Sequence, residues 1–136
     1  GNGIKILDGR RARVGGGTRR GKVLGAFLHI GARPAHIALG EIGNRRFGAV
    51  VVTNYLHRPL FPLLFEALQP GGILLYETFM VGNERFGKPS RPEFLLKDGE
   101  LLDLVRGRFS VTAYEARMIS EPRMAMVQRI AARKTS

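Results

Sequence analysis

Two apolar runs separated by a helical repeat form the clearest pattern along the chain. Phe47–Thr53 is an uninterrupted, β-branched run, and residues 73–79 form a second one. Such runs are typical of strands buried in a parallel sheet. Between them Leu60, Leu64 and Leu68 recur every four residues, which predicts a helix of about twelve residues that begins at a proline and ends at a Pro-Gly-Gly sequence. We therefore predict a strand–helix–strand unit with parallel pairing and a right-handed crossover.

The remainder of the chain after this unit predicts a polar loop followed by short elements. Residues 80–92 are rich in Gly, Asn, Arg and Pro, and loops of this length inside a domain are usually functional. Residues 93–96 and 100–106 each predict a short helical piece. Residues 109–116 alternate as a strand does, and residues 125–131 resemble its partner. We expect these last two segments to form an antiparallel hairpin at one edge of the sheet.

The first 46 residues differ in composition from the rest of the chain. They hold ten of the 22 Lys and Arg residues but only two of the 11 acidic residues, and no acidic residue lies between Gly9 and Gly40. Residues 8–22, which include a triple glycine, predict a loop or disorder because they offer little apolar surface. Residues 23–28 predict a short strand, and residues 35–39 a short strand or helical turn. The chain thus divides into a basic segment, 1–46, and a globular part, 47–136.

Composition and run lengths exclude several kinds of protein and site. No apolar run approaches the roughly 18 residues that a membrane span needs, and the first residues lack the pattern of a signal peptide. There is no cysteine, so disulfides and thiolate metal sites are excluded. The three histidines lack ligand spacing and nearby carboxylates, so we predict no metal site. These features suit a cytoplasmic protein.

Polar and aromatic side chains follow both predicted strands. Residues 53–58 read Thr-Asn-Tyr-Leu-His-Arg, and residues 76–79 read Tyr-Glu-Thr-Phe. Ligands of open parallel α/β sheets bind outside the carboxyl ends of the strands. We therefore expect a functional site where these two segments meet.

The order of these motifs resembles one family. Asn-Tyr-Leu-His-Arg-Pro-Leu at 54–60, Leu-x-Pro-Gly-Gly at 68–72, Tyr-Glu-Thr-Phe at 76–79 and the glycine-rich stretch at 82–89 are similar to class I S-adenosylmethionine-dependent methyltransferases. The similarity is closest to small bacterial methyltransferase-domain proteins related to the tellurite-resistance type. It runs from Phe47 to Arg133, the C-terminal half of such a domain.

The resemblance implies a fold and a cofactor. The expected fold is α/β, a Rossmann-like sheet of seven mostly parallel strands with helices on both faces and an antiparallel C-terminal hairpin. Phe47–Thr53 would be its fourth strand and residues 73–79 its fifth. The cofactor would be S-adenosylmethionine, with its methionine portion nearest four residues at the end of the fourth strand: Thr53, Asn54, Tyr55 and Leu56.

The same resemblance implies roles on the substrate side. His57 is the candidate catalytic base, although a histidine at this position also caps helices. Five residues are candidates for substrate contact: Arg58, Glu77, Asn83, Arg85 and Lys88. Glu77 could hold a substrate amine or simply accept bonds from loop amides. The cations of the 80–91 loop could bind an anionic substrate or be solvated.

The family pattern is incomplete in residues 1–46. Members carry an Asp-x-x-x-Gly-x-Gly loop and an acidic ribose ligand, and the triple glycine here has neither the preceding strand nor the following helix of such a loop. Gly48 also stands where the family usually has Asp. We therefore expect an incomplete sheet, with residues 1–46 a replacement that arose by truncation, fusion or out-of-frame translation.

Three functions remain open at this point. The first is methyl transfer to a small molecule. The second is a truncated, inactive relative acting as an interaction or oligomerisation module, since a partial sheet exposes surfaces that favour self-association. The third is a basic nucleic-acid-binding protein using residues 9–46. Phe27 is the only aromatic residue in that segment, which argues against nucleic acid as a partner.

Overall fold

A computed structural model of the chain describes residues 3–7, 27–28 and 46–135. The strands are β1 (Gly3–Leu7), β2 (Phe27–Leu28), β3 (Phe47–Thr53), β4 (Leu68–Phe79), β5 (Phe109–Ile119) and β6 (Ala125–Lys134). The α-helices are α1 (Phe61–Ala67) and α2 (Glu100–Val105), and 3₁₀ turns occupy Arg58–Leu60, Asn83–Arg85 and Pro92–Phe94.

These strands form one mixed sheet in the order β2-β1-β3-β4-β6-β5. β3 and β4 are parallel, with Val52 opposite Tyr76, and α1 lies between them in the chain. The predicted strand–helix–strand unit is therefore confirmed. β5 and β6 form the predicted antiparallel hairpin, which is longer than expected at both of its strands.

The helix of this unit is shorter than the leucine repeat predicts. α1 has seven residues, and the backbone at Leu68 is already extended. Leu68 is fully buried and pairs with Phe47, after which the register shifts so that Ala49 lies opposite Ile73. Because the side chain of Leu68 enters the core as part of a strand, tertiary packing overrides the helical pattern here. The prediction of a twelve-residue helix was wrong.

Two further expectations differ from the structure. Among the described residues the sheet has six strands, fewer than the seven of the family fold, as expected for an incomplete sheet; the strands were expected to be mostly parallel, but only β3 and β4 are. The helical piece expected at 93–96 is a single 3₁₀ turn one residue earlier, because Leu96 is extended and bridges Met80. The expected helix at 100–106 is confirmed as α2. Residues 8–22, 35–39 and most of 23–28 lie outside the described residues.

The hydrophobic core lies on one face of the sheet, here called the inner face. Ile4, Val52, Tyr76 and Ile130 form one row across four strands, and all are buried. Both α-helices pack against this face through a single set of side chains: Phe61, Leu64 and Phe65 from α1, and Leu101 and Val105 from α2. Burying each of these large side chains contributes about 1.5–3 kcal/mol. Helices on both faces were expected, but in the described part of the chain both are on this one.

The opposite side, here called the outer face, carries Val51, Leu75 and Ala131 side by side. Leu75 is 42% exposed although it lies on a central strand. A neighbouring row on this face is polar and contains Thr53, Glu77, Arg129 and Glu115. No helix in the described ranges is long and apolar enough to span a membrane.

Candidate functional site

The connection that follows β3 turns sharply at Asn54. This residue has a positive φ of 52°, a conformation that Asn adopts more readily than most residues. Its backbone N–H donates a 2.8 Å hydrogen bond to the backbone carbonyl of Glu77, and the hydroxyl of Tyr76 donates one of 2.8 Å to the backbone carbonyl of Tyr55. Tyr76 is 3% exposed, and burial raises its pKa well above the ordinary value. The neutral hydroxyl therefore holds residues 54–56 against the end of β4.

A cavity of about 570 Å³ opens at the carboxyl ends of β3 and β4. Its wall comes from three places in the chain: the two strand ends, the 80–94 loop and the tip of the β5–β6 hairpin. The lining residues are Asn54, Tyr55, Leu56, Glu77, Thr78, Phe79, Lys88, Pro89, Phe94, Ile119, Pro122, Arg123, Ala125 and Val127. We call this cavity the strand-end pocket. Its size and its mixed polar and apolar lining are those of a small-molecule site.

Asn83 fastens the loop that forms one wall of the strand-end pocket. Its side chain is 2% exposed, its amide nitrogen donates to the carbonyl of Pro89 at 2.9 Å, and its oxygen accepts from the amide of Met126 at 3.0 Å. The amide of Met80 also donates to the carbonyl of Met126 at 3.0 Å. One buried side chain thus connects the loop to the hairpin and fixes the width of the pocket.

Charges around the strand-end pocket are divided between paired and unpaired groups. Glu77 forms an ion pair of 3.2 Å with Arg129, which also binds Glu115 at 2.6 Å. The hydrogen bond to Glu115 raises the pKa of Arg129, partly opposed by burial. On the other wall, the Arg123 guanidinium donates to the backbone carbonyl of Lys88 at 3.2 Å, which brings two cationic residues together.

The structure brings five of the ten sequence-predicted site residues into the strand-end pocket: Asn54, Tyr55, Leu56, Glu77 and Lys88. Thr53 faces instead a separate depression of about 470 Å³ on the outer face, which also includes Glu77. His57 is exposed and does not line the strand-end pocket. Arg85 points elsewhere, because its guanidinium lies 5.0 Å from the ring of Phe86 and donates to the carbonyl of Gly82 at 3.1 Å.

Arg58 is held by other parts of the chain, outside the strand-end pocket. It makes two hydrogen bonds to the carboxylate of Glu100, at 2.7 and 2.8 Å, and donates to the carbonyls of Glu93 and Leu95 at 3.2 and 2.9 Å. The bond to Glu100 raises the pKa of Arg58 against the opposing effect of burial. Burial would raise the pKa of Glu100, but the hydrogen bonds from Arg58 and from the Lys97 amide lower it below the ordinary value. The pair joins the β3–α1 connection to the start of α2.

Sequence reasoning missed the residues that the hairpin contributes to the strand-end pocket. The sequence predicted no site role for Ile119, Pro122 and Arg123, which lie at the end of β5 and in the turn that follows it. Nothing in the local sequence indicates that this turn lies beside the ends of β3 and β4, because the position of the turn depends on the lengths of β5 and β6. Among the described residues no group of acidic or histidine side chains could hold a metal ion.

No protein-family model matches the chain, and no curated protein matches it. Many solved structures do match it. An S-adenosylmethionine-dependent methyltransferase from Methanosarcina mazei is 14% identical, with a TM-score of 0.52 over 68% of this chain and 61% of its own. TehB from Haemophilus influenzae is 15% identical, with a TM-score of 0.53 over 71% of this chain and 39% of its own. The chain has a class I methyltransferase-like fold. It spans only 61% and 39% of the lengths of these two structures, and the match confirms the fold expected from the motifs.

Proposed function

We propose that the chain takes part in methyl transfer from S-adenosylmethionine to a small molecule, with the strand-end pocket as the site of the methyl acceptor. The observation that carries the proposal is the position of this pocket at the carboxyl ends of the parallel pair β3 and β4. Ligands of open α/β sheets bind there. The proteins of similar fold are methyltransferases, which supports this choice among the reactions that such a sheet could host.

The described residues fit one end of the cofactor. Asn54 and Tyr55 in this turn line the pocket, and their side chains offer an amide and a phenol that could bind the amino acid portion of S-adenosylmethionine. When bound, this cofactor supplies an activated methyl group on a sulfonium. None of the described residues offers the glycine-rich loop or acidic ribose ligand that the family pattern has at its other end.

The contribution of this chain would be to position the acceptor and exclude water. Methyl transfer requires an acceptor atom aligned with the methyl group, and holding two reactants in line accounts for much of a catalytic rate. The turn at Asn54 and Tyr55 is fixed by hydrogen bonds to β4, and the loop wall is fixed through Asn83. His57 lies outside the pocket lining, so the proposal gives it no part in moving a proton.

The test is the thermal stability of the full chain with and without S-adenosylhomocysteine, with adenosine as a control ligand. At ten times its Kd the ligand would stabilise the folded chain by about 1.4 kcal/mol. Asn54→Gly keeps the positive φ and removes the amide, and it should weaken the stabilisation. Arg106→Met, at the exposed residue that follows α2, should not. If millimolar S-adenosylhomocysteine leaves the midpoint unchanged, the proposal is wrong.

A second candidate function, the interaction module, is favoured by the outer face. Leu75 is 42% exposed there, beside Val51 and Ala131, and Ala113 continues the row opposite Ala131. Three results together would favour this candidate over methyl transfer. The parent chain would be dimeric by sedimentation equilibrium, the Leu75→Glu variant would be monomeric, and S-adenosylhomocysteine would have no effect on stability.

A further inference from the structure

We infer that the strand-end pocket selects an apolar molecule carrying an anionic group, such as an aromatic carboxylate, with Lys88 and Arg123 binding the anion. The inference rests on the proposed function, because it names the class of molecule that would be the methyl acceptor. It assigns a role to Arg123, which comes from the hairpin turn, and it separates Lys88 from the other cations of the loop.

The charged side chains of the lining leave a net positive charge in the strand-end pocket. Only three of the described lining residues are charged: Glu77, Lys88 and Arg123. The carboxylate of Glu77 is offset by its ion pair with Arg129 at 3.2 Å. The remaining charge in the lining is therefore positive, and it comes from the loop and the hairpin turn.

Both of these cations, Lys88 and Arg123, have unused hydrogen-bond donors. Within the described part of the chain, no ion pair involves the ammonium of Lys88 or the guanidinium of Arg123. Arg123 uses one nitrogen for the carbonyl of Lys88. That bond brings the two residues together and leaves further N–H groups for a ligand. By contrast, Arg91 in the same loop is paired with Glu93 at 2.7 Å.

The rest of the lining offers a largely apolar surface. Phe79, Ile119, Val127 and two prolines contribute hydrocarbon, and Phe94 lies at the mouth with 45% of its surface exposed. An aromatic body that covers these groups removes apolar surface from water, which favours binding. With the anion on Lys88 and Arg123, the rest of the molecule extends over a surface that includes the ends of β3 and β4.

The test compares two probes of the same shape, 2-naphthoate and 2-naphthamide, by titration calorimetry on the full chain without cofactor. Charge-assisted hydrogen bonds are roughly twice as strong as neutral ones, so we expect the carboxylate to bind about 10- to 100-fold more tightly than the amide. Lys88→Gln and Arg123→Gln should each reduce this preference, and the double variant should abolish it. Arg85→Gln, which changes a loop cation outside the pocket, should retain it.

Equal affinity for the two probes, or no binding of either at millimolar concentration, would overturn the inference. So would a preference that survives in the double variant, provided that its urea unfolding matches the parent chain. Failure of the proposed function gives a different result: naphthoate discrimination would persist while S-adenosylhomocysteine has no effect. Binding of S-adenosylhomocysteine without naphthoate discrimination would overturn only the present inference.

Discussion

Removing the guanidinium of Arg58 should destabilise the fold rather than weaken ligand binding. Arg58→Met keeps most of the aliphatic stem but removes four hydrogen bonds: two to Glu100 and one to each of two carbonyls. The side chains of Arg58 and Glu100 are 32% and 14% exposed, so the pair is partly shielded from water.

The magnitude follows from these exposures. Breaking a fully buried ion pair costs about 3–5 kcal/mol, which partial exposure reduces to about 2 kcal/mol here. The carbonyl of Leu95, a residue only 3% exposed, also loses its donor from Arg58, at a cost of about 1 kcal/mol. We therefore expect Arg58→Met to lower the free energy of unfolding by about 3 kcal/mol.

The assay is equilibrium unfolding in urea of four chains: the parent, Arg58→Met, Glu100→Gln and the double variant. A coupling energy of about 2 kcal/mol between the two sites is expected if they act as a pair. Arg106→Met is the matched control, because its ion pair with Asp103 is 74% and 68% exposed and should contribute under about 0.5 kcal/mol. The structural role would be refuted if Arg58→Met loses as little free energy of unfolding as the control Arg106→Met. Weakened naphthoate binding in the same variant would favour the substrate role that the sequence suggested.

Three further outcomes are expected. Gln128→Leu should lower the free energy of unfolding by about 2–4 kcal/mol. The side-chain amide of Gln128 is fully buried, accepts a 2.8 Å hydrogen bond from the backbone N–H of Leu101 and donates one of 3.0 Å to a backbone carbonyl. A loss below about 1 kcal/mol in urea unfolding would contradict this. Asn83→Ala should lower the free energy of unfolding by about 2 kcal/mol and raise the Kd for 2-naphthoate. If Asn83 instead contacts the substrate directly, the variant should bind 2-naphthoate less tightly but unfold like the parent chain. The pKa of Glu100 is lowered in the folded chain, which means that its ionised carboxylate stabilises the fold. This contribution to the free energy of unfolding is fully present above the unfolded pKa of about 4.3 and is lost as pH falls through the folded pKa. Glu100→Gln should therefore be less stable than the parent at neutral pH and show a shallower acid decline, and an equally steep decline would contradict this assignment.

Elements specified by local pattern were predictable from the sequence. β3 matches its predicted bounds because seven consecutive residues have strand character and a polar turn follows at once. The hairpin was predictable from alternation on both sides of a Pro-containing turn. The end of α1 was not, since Leu68 fits the helical repeat equally well and only its pairing with Phe47 decides its conformation.

Features that depend on distant residues could not be predicted. Arg58 and Glu100 are 42 positions apart, and nothing in either local sequence indicates the other. The position of β1 antiparallel to β3 also depends on a long-range pairing, because Gly3–Leu7 is a five-residue segment followed by a basic, glycine-rich stretch. Six of the fourteen residues that line the strand-end pocket come from the strand ends that the motifs identify, and eight come from the loop and the hairpin.

The most direct test of the proposed function is a map of where S-adenosylhomocysteine binds. Amide ¹H–¹⁵N spectra of the full chain, titrated with this ligand, should show saturable shifts that cluster at Asn54, Tyr55, Leu56 and Glu77, around the ends of β3 and β4. Backbone amides of α2, which packs on the inner face of the sheet, should show no shifts. An absence of shifts at millimolar ligand, or shifts that cluster away from these strand ends, would contradict methyl transfer as the function of this site.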